Sequence, residues 1–331
     1  MSSRKKVRVG TVQMPSEFSE AHNLCFLFHD VLVEALKSGE ERNVFKGKVQ
    51  FVNDEDREGF ENASDIFEWL ECTKKEADRG RILCSIVFPA LLSDSLLCIY
   101  DALKASERGR LSTTYMLVRK PLQESLFLFE KMLIEPTEFG NLLAREPLKL
   151  RAGKAGGIEV HQRRIAASID MVNDSRFSAE YITKLRYDKA SEDSFDAICN
   201  QAMHLFTEHH AIRTSELNIN FIFSGEDERL KQWKYLYSRL PYLLAYFYSI
   251  VEHVLEKIVV TDPAYLKLIK RRIFAQICLW SDTVTEDYWN EELATFVFGS
   301  HDWIRTEFEA KGLSAASKEK IVKLRNTGKI S

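Results

Sequence analysis

Apolar residues recur three and four positions apart along most of the chain, which is the spacing of amphipathic helices. No alternation of strands and helices accompanies this pattern. We therefore predict an all-α multi-helix bundle with an N-terminal helical cap and a C-terminal helical extension. The spacing predicts helices over 17–38, 56–79, 82–106, 112–133, 158–172, 179–187, 194–210, 228–257, 264–280, 287–298 and 318–324. We expect the core to comprise helices 82–106, 112–133, 192–211 and 228–257.

Residues 146–157 are the best candidate for a boundary, because this stretch is basic and contains three glycines and a proline. It divides an N-terminal helical region, 1–145, which includes part of the core, from a second helical region, 158–310, which completes the bundle. Residues 311–331 form a basic tail with six basic residues and one acidic residue. The first 16 residues carry four basic residues and no acidic one. We interpret both basic ends as solvated tails, with RNA or an acidic partner as the alternative.

The composition excludes several classes of protein. The 331 residues are 45% hydrophobic and 29% charged, which is enough to bury a core and is not typical of a disordered chain. The six cysteines form no Cys-x-x-Cys pair, so we expect reduced thiols and a cytoplasmic location. Pro89, Asp94 and Asp101 interrupt the most apolar stretch, 82–103, and we predict a core helix there rather than a membrane span.

Three histidines within seven residues are the main candidates for chemistry. On a helix, His204 and Glu208 lie four positions apart and share a face, where they could bind a metal or transfer a proton. Two ligands are too few for a tight metal site, so we predict neither a metal nor a cofactor. The alternative is a polar helix end, with His204, His209 and His210 near the last carbonyl groups.

The segment from Cys199 to His204 (CNQAMH) resembles the motif of HEPN domains, which are helical bundles of bacterial toxin and abortive-infection proteins. In that motif an arginine and a polar residue precede the histidine. Asn200 and His204 match the polar and histidine positions, whereas Cys199 stands where the arginine would be. The resemblance implies a dimeric helical bundle and, in active members, a metal-independent ribonuclease. The histidine then acts as general base on a 2′-hydroxyl, and the arginine holds the phosphate.

The substitution by Cys199 implies a degenerate site, because a thiol cannot make a bidentate charged contact with phosphate. If the chain does cleave RNA, His204 would act with Asn200 and Glu208, and Arg213 would replace the missing arginine.

A second pair of charges lies in a predicted apolar helix. Arg119 and Glu124 flank Pro121, where proline should kink the helix or begin its second half. Neither charge can stay unpaired in a core, so we expect a structural polar pair, with Asp94 as another partner for Arg119. This run followed by His204 is similar in layout to uncharacterised HEPN-like proteins over about residues 82–257.

Two functional hypotheses follow. The first is a non-enzymatic or degenerate HEPN-like protein that acts through protein contacts, in phage defence or in a toxin–antitoxin role, as a homodimer. The second is the ribonuclease based on His204. The aromatic and basic run at 231–248 could bind single-stranded RNA, but its interleaved leucines favour a core helix or a dimer contact.

Overall fold

The computed structural model describes residues 12–46, 49–214, 219–221, 224–313 and 317–330. Within these ranges the chain forms helices and no strand, which confirms the all-α prediction. The α helices are α1 (Ser19–Glu41), α2 (Asp54–Asn62), α3 (Ile66–Cys72), α4 (Glu76–Glu107), α5 (Leu111–Lys120), α6 (Leu126–Ile134), α7 (Pro136–Arg145), α8 (Ile158–Val172), α9 (Ala179–Tyr187), α10 (Phe195–Met203), α11 (Glu226–Glu256), α12 (Pro263–Ser281), α13 (Glu291–Glu309) and α14 (Lys318–Thr327). A π-helical segment, Pro121–Ser125, joins α5 to α6. Short 3₁₀ turns cover Ser16–Phe18, Pro147–Leu150, Ala152–Lys154 and Glu286–Tyr288.

Helix α11 lies at the centre of the bundle. Every residue from Tyr235 to Val251 is buried, which is the behaviour of a helix enclosed on all sides. Its one charged residue there is Arg239, whose Nε donates to Asp193 at 2.7 Å and whose Nη1 donates to the Tyr288 carbonyl at 2.7 Å. The aromatic rings of this run therefore pack in the core.

One apolar core contains residues of α1 and of every α helix from α4 to α14. Helices on both sides of the link at 146–157 contribute to it. Helices α2 and α3 instead pack around a small separate cluster of Trp69, Leu70 and Ile82. The core thus extends through nearly the whole described chain.

The acidic helix predicted over 56–79 is wrong as one element. The chain forms α2 and α3 and then begins α4 at Glu76. Asp65 causes the break, because its carboxylate accepts from the backbone N–H groups of Phe67 (2.7 Å) and Glu68 (2.9 Å). This is the geometry of a helix N-cap, and it favours a new start over continuation.

The helix predicted over 112–133 is interrupted at Pro121, as expected. The π-helical segment begins at this proline, which has no N–H to donate and displaces the preceding turn. The sequence pattern missed α7 altogether. Helix α7 crosses α4 at two glycines, where a Cβ on Gly140 would lie 2.6 Å from the Gly80 Cα. Because neither glycine has a side chain, the two backbones can approach this closely where the helices cross.

Helix α4 is the one described helix long and apolar enough to cross a membrane. Only 44% of its most apolar window is buried inside the fold. Asp94 on this helix forms an ion pair with Lys120 of α5 at 2.7 Å, near the surface. Between Ile82 and Ile99 most residues outside the core are half-buried, and Ile86, Ala90 and Leu97 are exposed.

Candidate functional site: the end of α10 and the arginine network beside it

Helix α10 begins where the Ser194 side chain accepts from the backbone N–H of Ala197 at 3.1 Å. It ends at Met203, because His204 adopts an extended backbone conformation (φ −124°, ψ 134°). The helix predicted over 194–210 is therefore wrong beyond Met203. His204 and Glu208 therefore do not share a helical face, and the helical arrangement from which their shared site was predicted is absent.

Hydrogen bonds donated by the Asn220 side chain explain why α10 ends at Met203. The Asn220 amide donates to the His204 carbonyl at 3.0 Å and to the Thr207 hydroxyl at 2.6 Å. Thr207 and Thr214 close the loop between them: the Thr207 N–H donates to the Thr214 hydroxyl at 2.7 Å, and the Thr214 N–H donates to the Thr207 carbonyl at 3.0 Å. A side chain distant from α10 in sequence thus holds the chain out of the helix.

The other predicted site residues lie in solvent around this loop. His204, Glu208 and Arg213 are all exposed, while Asn200 is half-buried on α10. The rings of His209 and His210 stack with their centroids 4.5 Å apart.

Cys199 is buried, with 1% of its surface exposed, and burial raises the pKa of its thiol well above the usual value. The position that carries arginine in the HEPN motif therefore points into the core in this chain. A guanidinium at this position would have no solvent to stabilise its charge. The thiol is a neutral packing group.

Arg119 lies against α10 rather than beside Glu124. Its Nε donates to the buried Asp196 carboxylate at 3.0 Å, and Lys189 approaches the same carboxylate at 3.8 Å. Glu124 is exposed, so the predicted Arg119–Glu124 pair is not formed, and Asp94 pairs with Lys120 instead. Glu124 lies within the π-helical segment, whereas Arg119 lies in the last turn of α5.

Asp196 lies eight residues before His204 on α10. At 1.5 Å per residue, the Arg119 contact is about 12 Å from His204 along the helix axis. The Arg119–Asp196 contact and His204 therefore lie at different levels along the axis of α10.

A buried network that no sequence pattern indicates joins α6, α8 and α9. Glu130 is fully buried and accepts from Arg164 Nε at 2.7 Å and from Arg186 Nη1 at 2.5 Å. The Tyr246 hydroxyl donates to the same carboxylate at 3.0 Å. Both arginines also donate to the Tyr187 hydroxyl, at 3.1 Å and 2.9 Å. Two cations therefore share one buried anion.

The titration of this network follows from its charges. Burial alone would raise the pKa of Glu130, but the Arg186 and Arg164 guanidiniums hold it below its usual value. His161 stacks on Tyr187 with ring centroids 3.7 Å apart. Burial, followed by the two positive charges, lowers the pKa of His161 to about 4. At neutral pH, Glu130 is charged and His161 is neutral.

The network also fixes the π-helical segment. Arg186 Nε donates to the Leu122 carbonyl at 2.7 Å, and the Gln123 amide donates back to the Arg186 carbonyl. Arg186 thus satisfies a backbone group that lies within the π-helical segment. Pro121 signals the irregularity in the sequence, but Arg164 and Arg186 follow Glu130 by 34 and 56 residues, so no local spacing reveals their contact.

Across the described residues, no three histidine, cysteine, aspartate or glutamate side chains are close enough together to hold a metal ion. Comparison with protein-family models, with curated proteins and with solved structures finds no match. The site must therefore be judged by its own geometry.

Proposed function

We propose that this chain is a bacterial cytoplasmic HEPN-like protein that acts as a homodimer through protein contacts rather than by catalysis, in phage defence or in a toxin–antitoxin pair. The observation that carries the proposal is the exposed apolar face of α4. Ile86, Leu97 and Tyr100 are 49%, 64% and 44% exposed, and Ala90 is also exposed. Contiguous apolar side chains on the surface mark interaction sites.

The spacing of this face fits a helical partner. Ile86, Ala90, Ser93, Leu97 and Tyr100 follow one another at intervals of four, three, four and three residues, which is the heptad spacing of a coiled-coil seam. We call these five residues the α4 seam. A seam of this spacing needs a second helix with the same spacing.

A second copy of the chain supplies such a helix. In an antiparallel pair centred on Ser93, Ile86 of one copy faces Tyr100 of the other, and Ala90 lies within one residue of the position that faces Leu97. Ser93 then faces Ser93 of the other copy, and α4 of each copy buries its exposed side chains. Asp94 and Asp101 lie along the same exposed half of α4, and such charges would be costly in a lipid bilayer.

Cross-linking tests this arrangement. Because Ser93 lies on the two-fold axis, we expect Ser93→Cys to form a disulfide-linked dimer under mild oxidation, in a Cys72→Ser background that removes the exposed native thiol. The matched control is Ser64→Cys, at an exposed serine outside α4. Non-reducing electrophoresis separates the disulfide-linked dimer from the monomer. If Ser93→Cys cross-links no faster than Ser64→Cys, the antiparallel seam is wrong.

Ribonuclease activity is the second candidate, and the exposure of His204 at the open end of α10 is the observation that favours it. One feature counts against it: Cys199, which stands at the position of the motif arginine, is buried.

We expect the purified protein to leave single-stranded RNA intact in the presence of EDTA, and His204→Ala to behave identically. The measurement is gel electrophoresis of an end-labelled oligonucleotide over time. His209→Ala is the matched control on the same loop. Cleavage by the wild-type protein that His204→Ala abolishes and His209→Ala retains would establish the ribonuclease and contradict the non-catalytic proposal.

A further inference from the structure

A cavity of about 830 Å³ opens between the turn after α8 and helices α11, α12 and α13. Its volume falls within the range of about 300–1,000 Å³ that is typical of small-molecule sites. The apolar part of its lining includes Phe28, Phe177, Ala245, Ile273 and Ile277. No residue of α4 lines it, so binding in this cavity does not depend on the proposed dimer.

Several charged groups around the cavity already have partners. Asp174 accepts from Arg176 Nε at 2.9 Å. Glu307 accepts from Lys267 at 3.0 Å and from Arg271 Nε at 2.8 Å. Asp174 and Arg176 neutralise each other, whereas Glu307 is shared by two cations, which leaves one net positive charge on the α12 side.

The α11 side of the cavity carries two acidic residues, Glu252 and Glu256, that form no ion pair with a lysine or arginine of the described chain. Glu252 accepts from the Tyr248 hydroxyl at 2.7 Å, and no lysine or arginine of the described chain is within ion-pair distance of it. Burial raises the pKa of this carboxyl group, while the Tyr248 hydrogen bond and the nearby His253 and Lys270 act in the opposite direction. One turn further on, Glu256 has only His253 nearby, at 4.0 Å. His253 donates its Nδ1–H to the Ser249 carbonyl at 2.8 Å.

The α12 side carries the opposite charge. The Lys270 ammonium group lies 5.3 Å from the ring centroid of Trp303 and 5.4 Å from that of Phe274. No carboxylate of the described chain is within ion-pair distance of Lys270. The cavity therefore has an acidic side on α11, a basic side on α12 and apolar surface around them, and Lys270 is close enough to Glu252 to act on its charge.

We propose that this cavity binds a zwitterion of the size of an apolar di- or tripeptide. The ligand's ammonium group would bind Glu252 and Glu256, its carboxylate would bind Lys270, and its apolar side chains would pack on Phe28, Phe177 and neighbouring residues. The two ends of the ligand thus match the acidic side and the basic side of the cavity. A purely cationic ligand such as a diamine would leave Lys270 unpaired.

Isothermal titration calorimetry with three forms of one tripeptide tests the proposal. The probes are Leu-Phe-Leu, its N-acetyl derivative and its C-terminal amide. We expect the free tripeptide to bind and each blocked form to bind about ten- to hundredfold more weakly, because each lacks one charge-assisted contact. Absence of binding by the free peptide, equal binding of all three forms, or binding of putrescine but not of the peptide would overturn the proposal.

Two variants identify the residues that bind each end. Glu252→Gln should weaken binding of the free peptide about ten- to hundredfold but leave binding of the N-acetyl form unchanged. Lys270→Met should weaken binding of the free peptide by a similar factor but leave binding of the C-terminal amide unchanged. Glu228→Gln on α11 and Lys184→Met on α9 are the matched controls outside the cavity. A loss that is equal for the free and blocked peptides would mean a structural effect and would contradict the assignment. Circular dichroism checks that each variant folds.

Discussion

Replacing Glu130 by alanine is expected to lower the free energy of unfolding by about 3–5 kcal/mol. The side chain is fully buried, and it is the one carboxylate that both Arg164 and Arg186 contact. Its removal leaves two guanidiniums in the core without a counter-charge and leaves the Tyr246 hydroxyl without its acceptor. Since small domains are stable by only about 5–15 kcal/mol, a loss of this size threatens folding itself.

Urea unfolding followed by circular dichroism measures this effect. Glu130→Gln keeps the volume of the side chain and removes only the charge, and it should cause most of the same loss. Glu124→Ala is the matched control, six residues earlier and exposed, and should change stability by no more than about 0.5 kcal/mol. A loss below about 1 kcal/mol for Glu130→Ala would contradict the role given to the network.

Lowering the pH should reduce the contribution of the same network to the free energy of unfolding. The pKa of Glu130 is lower in the folded chain than its usual value of 4.5, so unfolding raises it. Its contribution to stability is therefore complete above about pH 4.5 and is lost as the pH falls through the lower folded value. Glu130→Gln should remove this part of the acid dependence.

The helical character of the fold could be predicted because it depends on local pattern. The leucines of 236–250 recur at helical spacing, and the structure buries them all round in α11. Pro121 indicates an irregularity because proline has no N–H to donate, although α4 and α11 continue through Pro89 and Pro241. Such features need no knowledge of distant residues.

The ends of elements and the polar contacts could not be predicted, because distant residues decide them. Asn220 holds His204 out of α10, and nothing within the segment 194–210 indicates this. Arg119 had two visible candidate partners in sequence, Glu124 and Asp94. Its actual partner, Asp196, lies 77 residues away and meets it only because α5 and α10 pack together.

A single aspartate at the centre of the α4 seam should separate the proposed dimer. Leu97 is 64% exposed in one chain, so Leu97→Asp removes little from the core of that chain. In the dimer, each copy would place an unpaired aspartate near Ala90 of the other copy, so the interface would contain two unpaired charges. Burying an unpaired charge costs several kcal/mol, and we therefore expect the dimer dissociation constant to rise about a hundredfold or more.

Leu148→Asp is the matched control, because Leu148 is 74% exposed and lies in a 3₁₀ turn away from α4. Both variants should unfold within about 0.5 kcal/mol of the wild-type chain. A difference in association between them then reports the seam rather than the fold.

The most direct test is the molar mass of the wild-type protein, Leu97→Asp and Leu148→Asp by light scattering at the same micromolar concentration. We predict twice the chain mass of 38.3 kDa for the wild type and Leu148→Asp, and 38.3 kDa for Leu97→Asp. A wild-type protein that stays at 38.3 kDa, or a Leu97→Asp variant that remains dimeric, would contradict the account.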